Sequence, residues 1–280
     1  MRLLTWNLNS RRKVAEQVAA IAARSPDIVA LQELTLISTM SWRDVLPLAG
    51  LPNVVDSFSS SPSWEPKGPR RYALIVASRF PLTYVTWPHA VPWPERILSV
   101  EVLTLRGAIN VHTTHIPPGC TNGWLKVKML EAVSAVISAQ SSTASILCGD
   151  FNVPQAETAE GRIVTWGEDI IDGKPRLLAR RKGGDGRHWD AAERIVMEGG
   201  AQRQLIDAYR HLHGYGRQEF SWFVKRKERR IGRRFDHVFC SRDLVVKRCE
   251  YLHDLREAGL SDHSALELDF ELGMTTALQK

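Results

Sequence analysis

The sequence has few cysteines, and they are not arranged as a disulfide framework or as a zinc site. It contains four in 280 residues: Cys120, Cys148, Cys240 and Cys249. None belongs to a CxxC pair or has a zinc-like spacing to histidine. Free, partly buried thiols in a reducing compartment are the simplest interpretation. A chain of this length can bury a proper core without disulfide or metal staples.

Long apolar segments are missing as well. No run approaches the roughly 20 residues of a membrane span, and residues 1–7 become polar too early for a secretory leader. There is no internal repeat and no low-complexity tail. We therefore expect a cytoplasmic protein with no membrane partner, and no obligate protein partner is evident.

The composition is that of an ordinary globular protein, with 44% hydrophobic and 24% charged residues. The net charge is +6, from 37 Lys+Arg against 31 Asp+Glu. This modest excess fits a polyanionic partner but does not require one. Charge alone therefore leaves the class of partner open.

Strand patterns dominate the chain. Alternating or apolar runs bounded by turn formers predict strands at 2–8, 28–32, 72–77, 82–87, 97–105, 108–115, 145–148, 220–224, 234–240, 244–250 and 265–270. Amphipathic helices are predicted at 11–24, with Asn9 or Ser10 as N-cap, and at 124–139. This order predicts an α/β protein of packed sheets flanked by helices.

Two stretches are predicted to be surface elaborations. Residues 57–71 are rich in Ser and Pro, and residues 155–200 are long and irregular, with a basic segment at 180–187. Long loops in compact domains are usually functional or disordered. Because polar motifs lie on both sides of each stretch, we expect one domain over residues 1–280, with 155–200 as an insertion.

Polar residues follow the first two predicted strands. Asn7 and Asn9 are two apart and point to one face, and strand interiors disfavour Asn. Glu33 ends an apolar strand, where a carboxylate is well placed for a site. Taken alone, an asparagine at a strand end is more often a turn or cap residue than a ligand. For Glu33 alone, simple surfacing of the chain is an equal alternative.

A sharper pattern occurs at residues 146–154. An apolar strand leads into Gly149, then into Asp150 and Asn152, and Pro154 ends it. Glycine allows close backbone approach, and the spacing of two aims both polar side chains at one point. An Asx turn closing the strand is the alternative.

The C-terminal third supplies an acid and a histidine. Asp236 lies in an otherwise apolar strand and needs a buried partner. Asp262 and His263 open the last strand, and an Asp beside a His on adjacent strands is a common way to orient an imidazole. His115, at the end of another strand, is a further candidate.

Taken in order, these strings resemble the signature of the endonuclease/exonuclease/phosphatase superfamily, in its exonuclease III and deoxyribonuclease-like form. The matching strings are TWNLN, ALQE, THIPPG, GDFN, FDHVF and SDH, together with FSW before the FD motif. The resemblance runs from residue 5 to about 265. It implies a four-layer α/β sandwich, with two face-to-face mixed β-sheets flanked by helices and the site at one edge of the sheets.

The resemblance also implies metal-dependent hydrolysis of a phosphate ester. Glu33 would be the principal Mg²⁺ ligand, supported by Asn7 and by Asp262 directly or through water. Mn²⁺ is an alternative ion, since both accept oxygen ligands. Asp150 would orient and deprotonate the attacking water, with Asn152 holding phosphate and water in line.

The histidines complete the implied set. His263 would donate to a phosphate oxygen, and Asp236 would fix its tautomer and favour its cationic form. His115 would contact the developing phosphorane. Members of the family specialised for abasic DNA typically carry tyrosine at this position, so the histidine puts that specialisation in doubt.

Three functions compete. The first is a nuclease acting on DNA more readily than RNA, with Asn9, Trp222 and Arg233 at the substrate. The second is a phosphatase or phosphodiesterase for a small molecule or lipid headgroup, and the third is an inactive nucleic-acid-binding protein on the same fold. The nuclease is favoured by basic residues around Trp222 and by tryptophans in predicted loops that could stack bases. These are Arg217, Lys225, Arg226, Lys227, Arg229, Arg230, Arg233 and Arg234, and Trp64, Trp87, Trp93 and Trp189.

Overall fold

The computed structural model describes residues 1–60, 67–87, 90–139, 143–198 and 205–273. Helices α1 to α7 span Val14–Arg24, Leu36–Val45, Gly119–Asn122, Leu125–Ala139, Gly186–Met197, Ala208–His213 and His253–Glu257. Strands β1 to β10 span Arg2–Asn7, Ile28–Leu34, Asn53–Asp56, Ala73–Ser78, Leu82–Tyr84, Ile97–Thr104, Gly107–His115, Ala144–Asp150, Ala156–Glu157 and Ile163–Val164. Strands β11 to β20 span Glu168–Ile171, Lys174–Leu177, Arg180–Arg181, Gly184–Asp185, Ile206–Asp207, Trp222–Arg226, Arg229–Arg233, Asp236–Cys240, Leu244–Leu252 and Ala265–Leu272.

Two six-stranded sheets form the centre of the protein. Their strand orders are β19-β20-β1-β2-β4-β3 and β15-β18-β8-β7-β6-β5. Each sheet is mixed, because β1 pairs in parallel with β2 and β7 with β8, whereas the remaining pairs are antiparallel. The predicted fold class, a pair of mixed sheets in an α/β protein, is confirmed.

The apolar side chains divide into three cores, which define four layers. The central core joins the inner faces of both sheets, with Leu3 and Ile28 from one and Val111 and Ile146 from the other. A second core packs α1 and α2 on the outer face of the first sheet. A third packs α4 and α5 on the outer face of the second sheet. The strand alternation thus assigns each side chain to a layer.

The structure corrects several details of the expected elements. The first helix begins at Val14, and its N-cap residue is Lys13, with no side-chain cap. Asn9 and Ser10 instead adopt positive φ in the preceding turn. Side-chain capping requires an extended backbone at the N-cap, so neither residue can cap from there. Helix α2 was not predicted, because its sequence lacks a clear amphipathic period.

Residues 155–198 of the predicted insertion are more ordered than their sequence predicts. Three short hairpins, β9–β10, β11–β12 and β13–β14, lead into α5. Trp189 lies on that helix and is 1% exposed, so the expectation of a loop tryptophan free to stack bases was wrong. Trp64 lies outside the described residues. Within the described ranges, no helix is long and apolar enough to cross a membrane.

Candidate active site

The site lies where strands of both sheets end at the same edge. In β7 and β8 the rows that face the central core continue into His115 and Asp150, which are paired in register. Asp236 lies directly opposite Asp150 on β18. Strand alternation places all three between the sheets. Gly149 permits this close approach, because a Cβ there would lie 2.1 Å from the carbonyl oxygen of Thr114.

Glu33 reaches the site by a different route. Alternation along β2 would place it on the outer face with Val29 and Leu31. The pairing of β2 with β4 shifts register between Leu31 and Leu34, and Glu33 has a φ of 60°. A left-handed backbone at a non-glycine residue costs about 1–3 kcal/mol. This backbone conformation turns the Glu33 carboxylate toward His115 and Asp150.

Asn7 bridges the two principal carboxylates. Its side-chain nitrogen Nδ2 donates to Glu33 Oε1 at 3.1 Å and to Asp150 Oδ2 at 2.8 Å. Its Oδ1 accepts the backbone N–H of Asn9 at 2.8 Å. The amide therefore presents hydrogen to the cluster, and ligation of a metal through Oδ1 would require it to turn. Asn9 itself lines the cleft.

Two of the carboxylates, Glu33 and Asp150, carry raised pKa values. Burial raises the pKa of Glu33, and the nearby Asp262 adds to the rise. Burial raises the pKa of Asp150 to about 7, with further contributions from Asp236 and Glu33. Oδ1 of Asp262 is buried without a hydrogen-bond partner among the described residues. Crowded oxygen ligands of this kind suit a hard divalent cation, which would relieve their mutual repulsion.

His263 is held as an imidazolium. Its Nδ1 donates to Asp236 Oδ2 at 2.7 Å, and its Nε2 lies 3.9 Å from Asp150 Oδ2. Burial lowers the pKa of His263, but the charges of Asp236 and Asp150 outweigh that effect and raise it to about 10. The Nε2–H group is therefore a cationic donor at neutral pH.

His115 differs from His263 in charge. Arg96 Nη1 contacts its Nδ1, and a guanidinium can only donate, so Nδ1 accepts and the ring proton is on Nε2. Nε2 lies 3.3 Å from Glu33 Oε1 and 3.8 Å from Asp150 Oδ2. Burial, Arg96 and His263 hold the pKa of His115 well below its usual value. His115 is thus a neutral donor, and its protonated Nε2 cannot ligate a metal.

Asn152 is held by hydrogen bonds from residues that the sequence analysis missed. Its backbone N–H donates to Asp150 Oδ1 at 2.9 Å, and its Nδ2 donates to the carbonyl of Ile116 at 2.9 Å. Its carbonyl accepts from Lys126 Nζ at 2.8 Å and from Trp166 Nε1 at 3.1 Å. Lys126 is on α4 and Trp166 is in the 155–200 insertion, and no local pattern marks either residue.

A cleft of about 1010 Å³ opens over this cluster. Trp222 donates from Nε1 to Asp262 Oδ2 at 3.1 Å and stacks on Phe235 with centroids 5.4 Å apart. Arg233 lies over the Trp166 ring at 5.6 Å. All the predicted site residues therefore gather at one edge, seven of them on the cleft wall, with Asn7 and Asp236 lying behind the surface. The cleft wall includes Glu33, His115, Asp150, Asn152, Trp222, Asp262 and His263, with Asn9 and Arg233 at its rim.

One predicted substrate contact is wrong. Arg234 is 3% exposed and pairs through Nη2 with Glu157 at 2.6 Å and with Asp207 at 2.6 Å. It precedes β18 and points into the protein, away from the basic residues with which its sequence position groups it. Its charge is compensated within a buried network of ion pairs.

The chain belongs to the Endonuclease/Exonuclease/phosphatase family, whose model matches residues 4–263. Members of this family are phosphoester hydrolases that typically depend on a divalent metal. None of the curated proteins matches the sequence.

Solved structures share the fold. An AP endonuclease from Archaeoglobus fulgidus superimposes with a TM-score of 0.71 at 19% identity, covering 97% of this chain and 100% of that one. The 3′ phosphatase NExo from Neisseria, bound to a product DNA hairpin, gives 0.66 at 20% identity, with 97% and 99% covered. A humanized D. rerio TDP2 gives 0.64 at 15% identity, with 97% and 98% covered.

Proposed function

We propose that the protein hydrolyses phosphodiester bonds of nucleic acid, DNA more readily than RNA, with Mg²⁺ or Mn²⁺ as cofactor. One observation carries the proposal. Two carboxylates, the half-buried Glu33 and the buried Asp150, lie between a cationic and a neutral imidazole donor at the floor of an open cleft. A phosphate there would meet hydrogen donors, and a water would meet a base.

The metal site would be formed by carboxylates. Glu33 and Asp262 would hold the ion, and the raised pKa of Glu33 together with the unpartnered Oδ1 of Asp262 fits that role. When bound, the ion would neutralise charge on the phosphoryl oxygens and stabilise the leaving oxygen. Asn7 would keep Glu33 and Asp150 in place through its two hydrogen bonds.

Asp150 would act as the general base. Its pKa of about 7 in the metal-free protein lies near neutral pH, where a base is most effective. Oδ1 is held by the backbone N–H of Asn152 and Oδ2 by Asn7, so the carboxylate has a fixed orientation. It would take the proton of the attacking water while Asn152 aligns the phosphate.

The histidines would stabilise the negative charge that develops on the phosphoryl oxygens. His263, kept cationic by Asp236, would donate from Nε2 to one oxygen, and neutral His115 would donate from Nε2 to another. Preorganised donors of this kind cost no reorganisation during the reaction.

A polymeric substrate is favoured over a small phosphate ester by the surroundings of the cleft. Arg181, Lys182, Arg226 and Arg233 line it together with Trp93 and Trp166. Cations interleaved with aromatic rings suit a phosphate backbone and its bases. The related structures include an AP endonuclease and a phosphatase bound to DNA, which supports DNA as the substrate. An inactive binding protein would not need the full catalytic set.

The test is a cleavage assay with labelled single-stranded, duplex and abasic-site oligonucleotides in Mg²⁺, with EDTA and Glu33→Ala as controls. Metal-dependent cuts that disappear in the variant are the expected result, and the fragment pattern separates endonuclease from exonuclease action. If the folded protein leaves every oligonucleotide intact but releases phosphate from soluble phosphomonoesters or headgroups, the phosphatase alternative replaces the proposal.

A further inference from the structure

The hairpin formed by β16 and β17 carries a concentration of unpaired positive charge. Lys225 lies directly opposite Arg230, and Arg226 directly opposite Arg229. Like charges in facing positions destabilise a sheet. Among the residues that the structure describes, none of these four side chains has a carboxylate within ion-pair distance, whereas neighbouring Arg217 and Arg234 are both paired with acids. Folding alone does not explain such an arrangement.

Strand alternation divides the hairpin into two faces. Trp222, Val224 and Arg226 face the catalytic cleft. Phe223 and Lys225 face the opposite side, with Arg230 across from Lys225. The hairpin therefore separates the catalytic cleft from the surface on its other side.

A second hollow of about 430 Å³ lies on the other side, and we call it the outer hollow. Its positive members are Arg11, Lys225, Arg230 and Arg256, against the acids Glu228 and Asp262. Asp262 also lines the catalytic cleft, so the two hollows meet at the predicted metal site.

Two arginines in the outer hollow are held beside each other with unused donors. The guanidinium of Arg230 lies 3.8 Å from the centroid of the Phe223 ring, and that of Arg256 lies 4.6 Å from it. Nε of Arg256 is buried with no hydrogen-bond partner in the described part of the chain. Burial and the adjacent charge of Arg230 lower the pKa of Arg256. In the described ranges, neither guanidinium has a carboxylate within ion-pair distance, although Glu228 and Asp262 line the same hollow.

We propose that the outer hollow binds a phosphate group of the nucleic-acid strand, at a nucleotide beyond the one whose phosphodiester bond is hydrolysed. Arg230, Arg256 and Lys225 are its ligands, and the hairpin lies between this phosphate and the scissile one. The strand passes from the cleft to the outer hollow past Asp262. This inference rests on the proposed function and adds a second binding position to it.

The experiment compares Arg230→Ala, Lys225→Ala and the double variant with Arg106→Ala. Neither hairpin side chain makes a hydrogen bond or ion pair in the described structure, so the variants should fold, and thermal melting checks this. Arg106 is an exposed arginine in the β6–β7 turn, at the opposite end of β7 from His115. Binding of a fluorescein-labelled 20-nucleotide strand, single and duplex, is measured in EDTA by anisotropy at several salt concentrations.

Each lost phosphate contact should lower the slope of log affinity against log salt by about one. We expect a decrease of about one for each single variant and about two for the double variant, with binding about tenfold weaker for each lost charged hydrogen bond. Arg106→Ala should match the wild type. Cleavage of bis(4-nitrophenyl) phosphate, which has no second phosphate, should stay within about twofold of wild type in all variants.

Equal salt slopes in the hairpin variants and Arg106→Ala would overturn the proposal that the outer hollow binds phosphate, while leaving the nuclease proposal intact. A parallel loss of activity on bis(4-nitrophenyl) phosphate would also overturn it, because the hairpin would then act inside the catalytic cleft. Wild-type protein that binds neither form of the strand would overturn both proposals. Binding with the expected slopes but without cleavage would support phosphate binding in the outer hollow and overturn the proposed nuclease activity.

Discussion

Two groups of buried charged residues differ in how their acids and cations are balanced. In the structural network, Glu157 and Asp207 are matched by Arg210 and Arg234. The pKa values of both acids fall, because the arginines, together with His237 at Asp207, outweigh the effect of burial. In the catalytic cluster, four carboxylates are accompanied by two cations, and two of the acids have raised pKa values. The four are Glu33, Asp150, Asp236 and Asp262, and the cations are Arg96 and His263.

The difference separates a structural from a functional use of buried carboxylates. A balanced network stabilises the fold and offers nothing to a ligand. An excess of carboxylate destabilises the metal-free protein and prepares it to accept a cation and a proton. Arg234 and Asp236 are two positions apart in sequence and belong to different groups, so residue type alone does not reveal which rule applies.

The largest expected effect is the loss of turnover in Asp150→Asn. Removal of a general base costs about 10²–10⁴-fold in rate. Because the folded environment disfavours the charged form of Asp150, the amide should leave the melting temperature unchanged or higher. Steady-state kinetics and thermal melting provide the two measurements. Turnover at the wild-type rate would mean that another group takes the proton.

Asp207→Asn should show the reverse pattern. Removing one member of a buried ion pair destabilises a protein by about 3–5 kcal/mol, because the partner charge is left uncompensated. The active-site geometry is unaffected at temperatures where the variant is folded. Urea unfolding and kcat, measured on the same preparation, test the contrast. A variant that is fully stable but inactive would place Asp207 in the site rather than in the scaffold.

Metal should stabilise the protein more strongly at pH 8 than at pH 5.5. The raised pKa values of Asp150 and Glu33 mean that the metal-free folded state binds extra protons between the unfolded pKa, near 4, and the folded one, about 7 for Asp150. Their contribution to stability is therefore present at low pH and lost as pH rises toward 7. A bound cation removes that loss. At 100 times its Kd it adds about 2.7 kcal/mol.

The measurement is the melting temperature with EDTA and with saturating Mg²⁺ across this pH range. Glu33→Gln should abolish most of the metal-dependent increase, and Asp169→Asn, an exposed acid on β11, should keep it. An increase that is independent of pH would show that the ion does not bind at these carboxylates.

Arg96 offers a smaller, more selective test of the same cluster. Arg96→Met removes the donor to His115 Nδ1, so the ring loses its fixed tautomer, and we expect kcat to fall by about tenfold. Arg96→Lys, which keeps a donor, should recover part of the loss. Nitrogen NMR of the imidazole should show the proton on Nε2 in the wild type and mixed protonation in Arg96→Met. An unchanged tautomer would assign Arg96 to packing alone.

The positions of the candidate site residues were easier to predict from the sequence than the residues that support them. Asn7, Asp150 and Asp236 are found at strand ends because strand alternation is a local property that continues from the apolar core. The turning of Glu33 depends on a shift in pairing with β4, which no local pattern encodes. The layered arrangement likewise came from the resemblance to a family and not from periodicity.

Residues that act through packing were missed. Arg96 lies directly before an ordinary apolar strand, and Lys126 lies in an ordinary helix, so each resembles a surface cation in sequence. Their burial depends on contacts with segments far away in the chain: Lys126 meets Glu193 of α5 at 3.1 Å. The prediction for Arg234 was wrong in the opposite sense. Its basic neighbours suggested an exposed substrate contact, whereas the residue is buried. Only the tertiary structure distinguishes these cases.

The pairing of β1 with both β2 and β20 has a consequence for the timing of activity during synthesis. Asn7 leaves the ribosome early, whereas Asp262 and His263, just before the closing strand, leave last. At about 5–20 residues per second, some tens of seconds separate the two events. The candidate active site therefore stays incomplete on the nascent chain throughout that interval, because Asp262 and His263 have not yet joined Asn7.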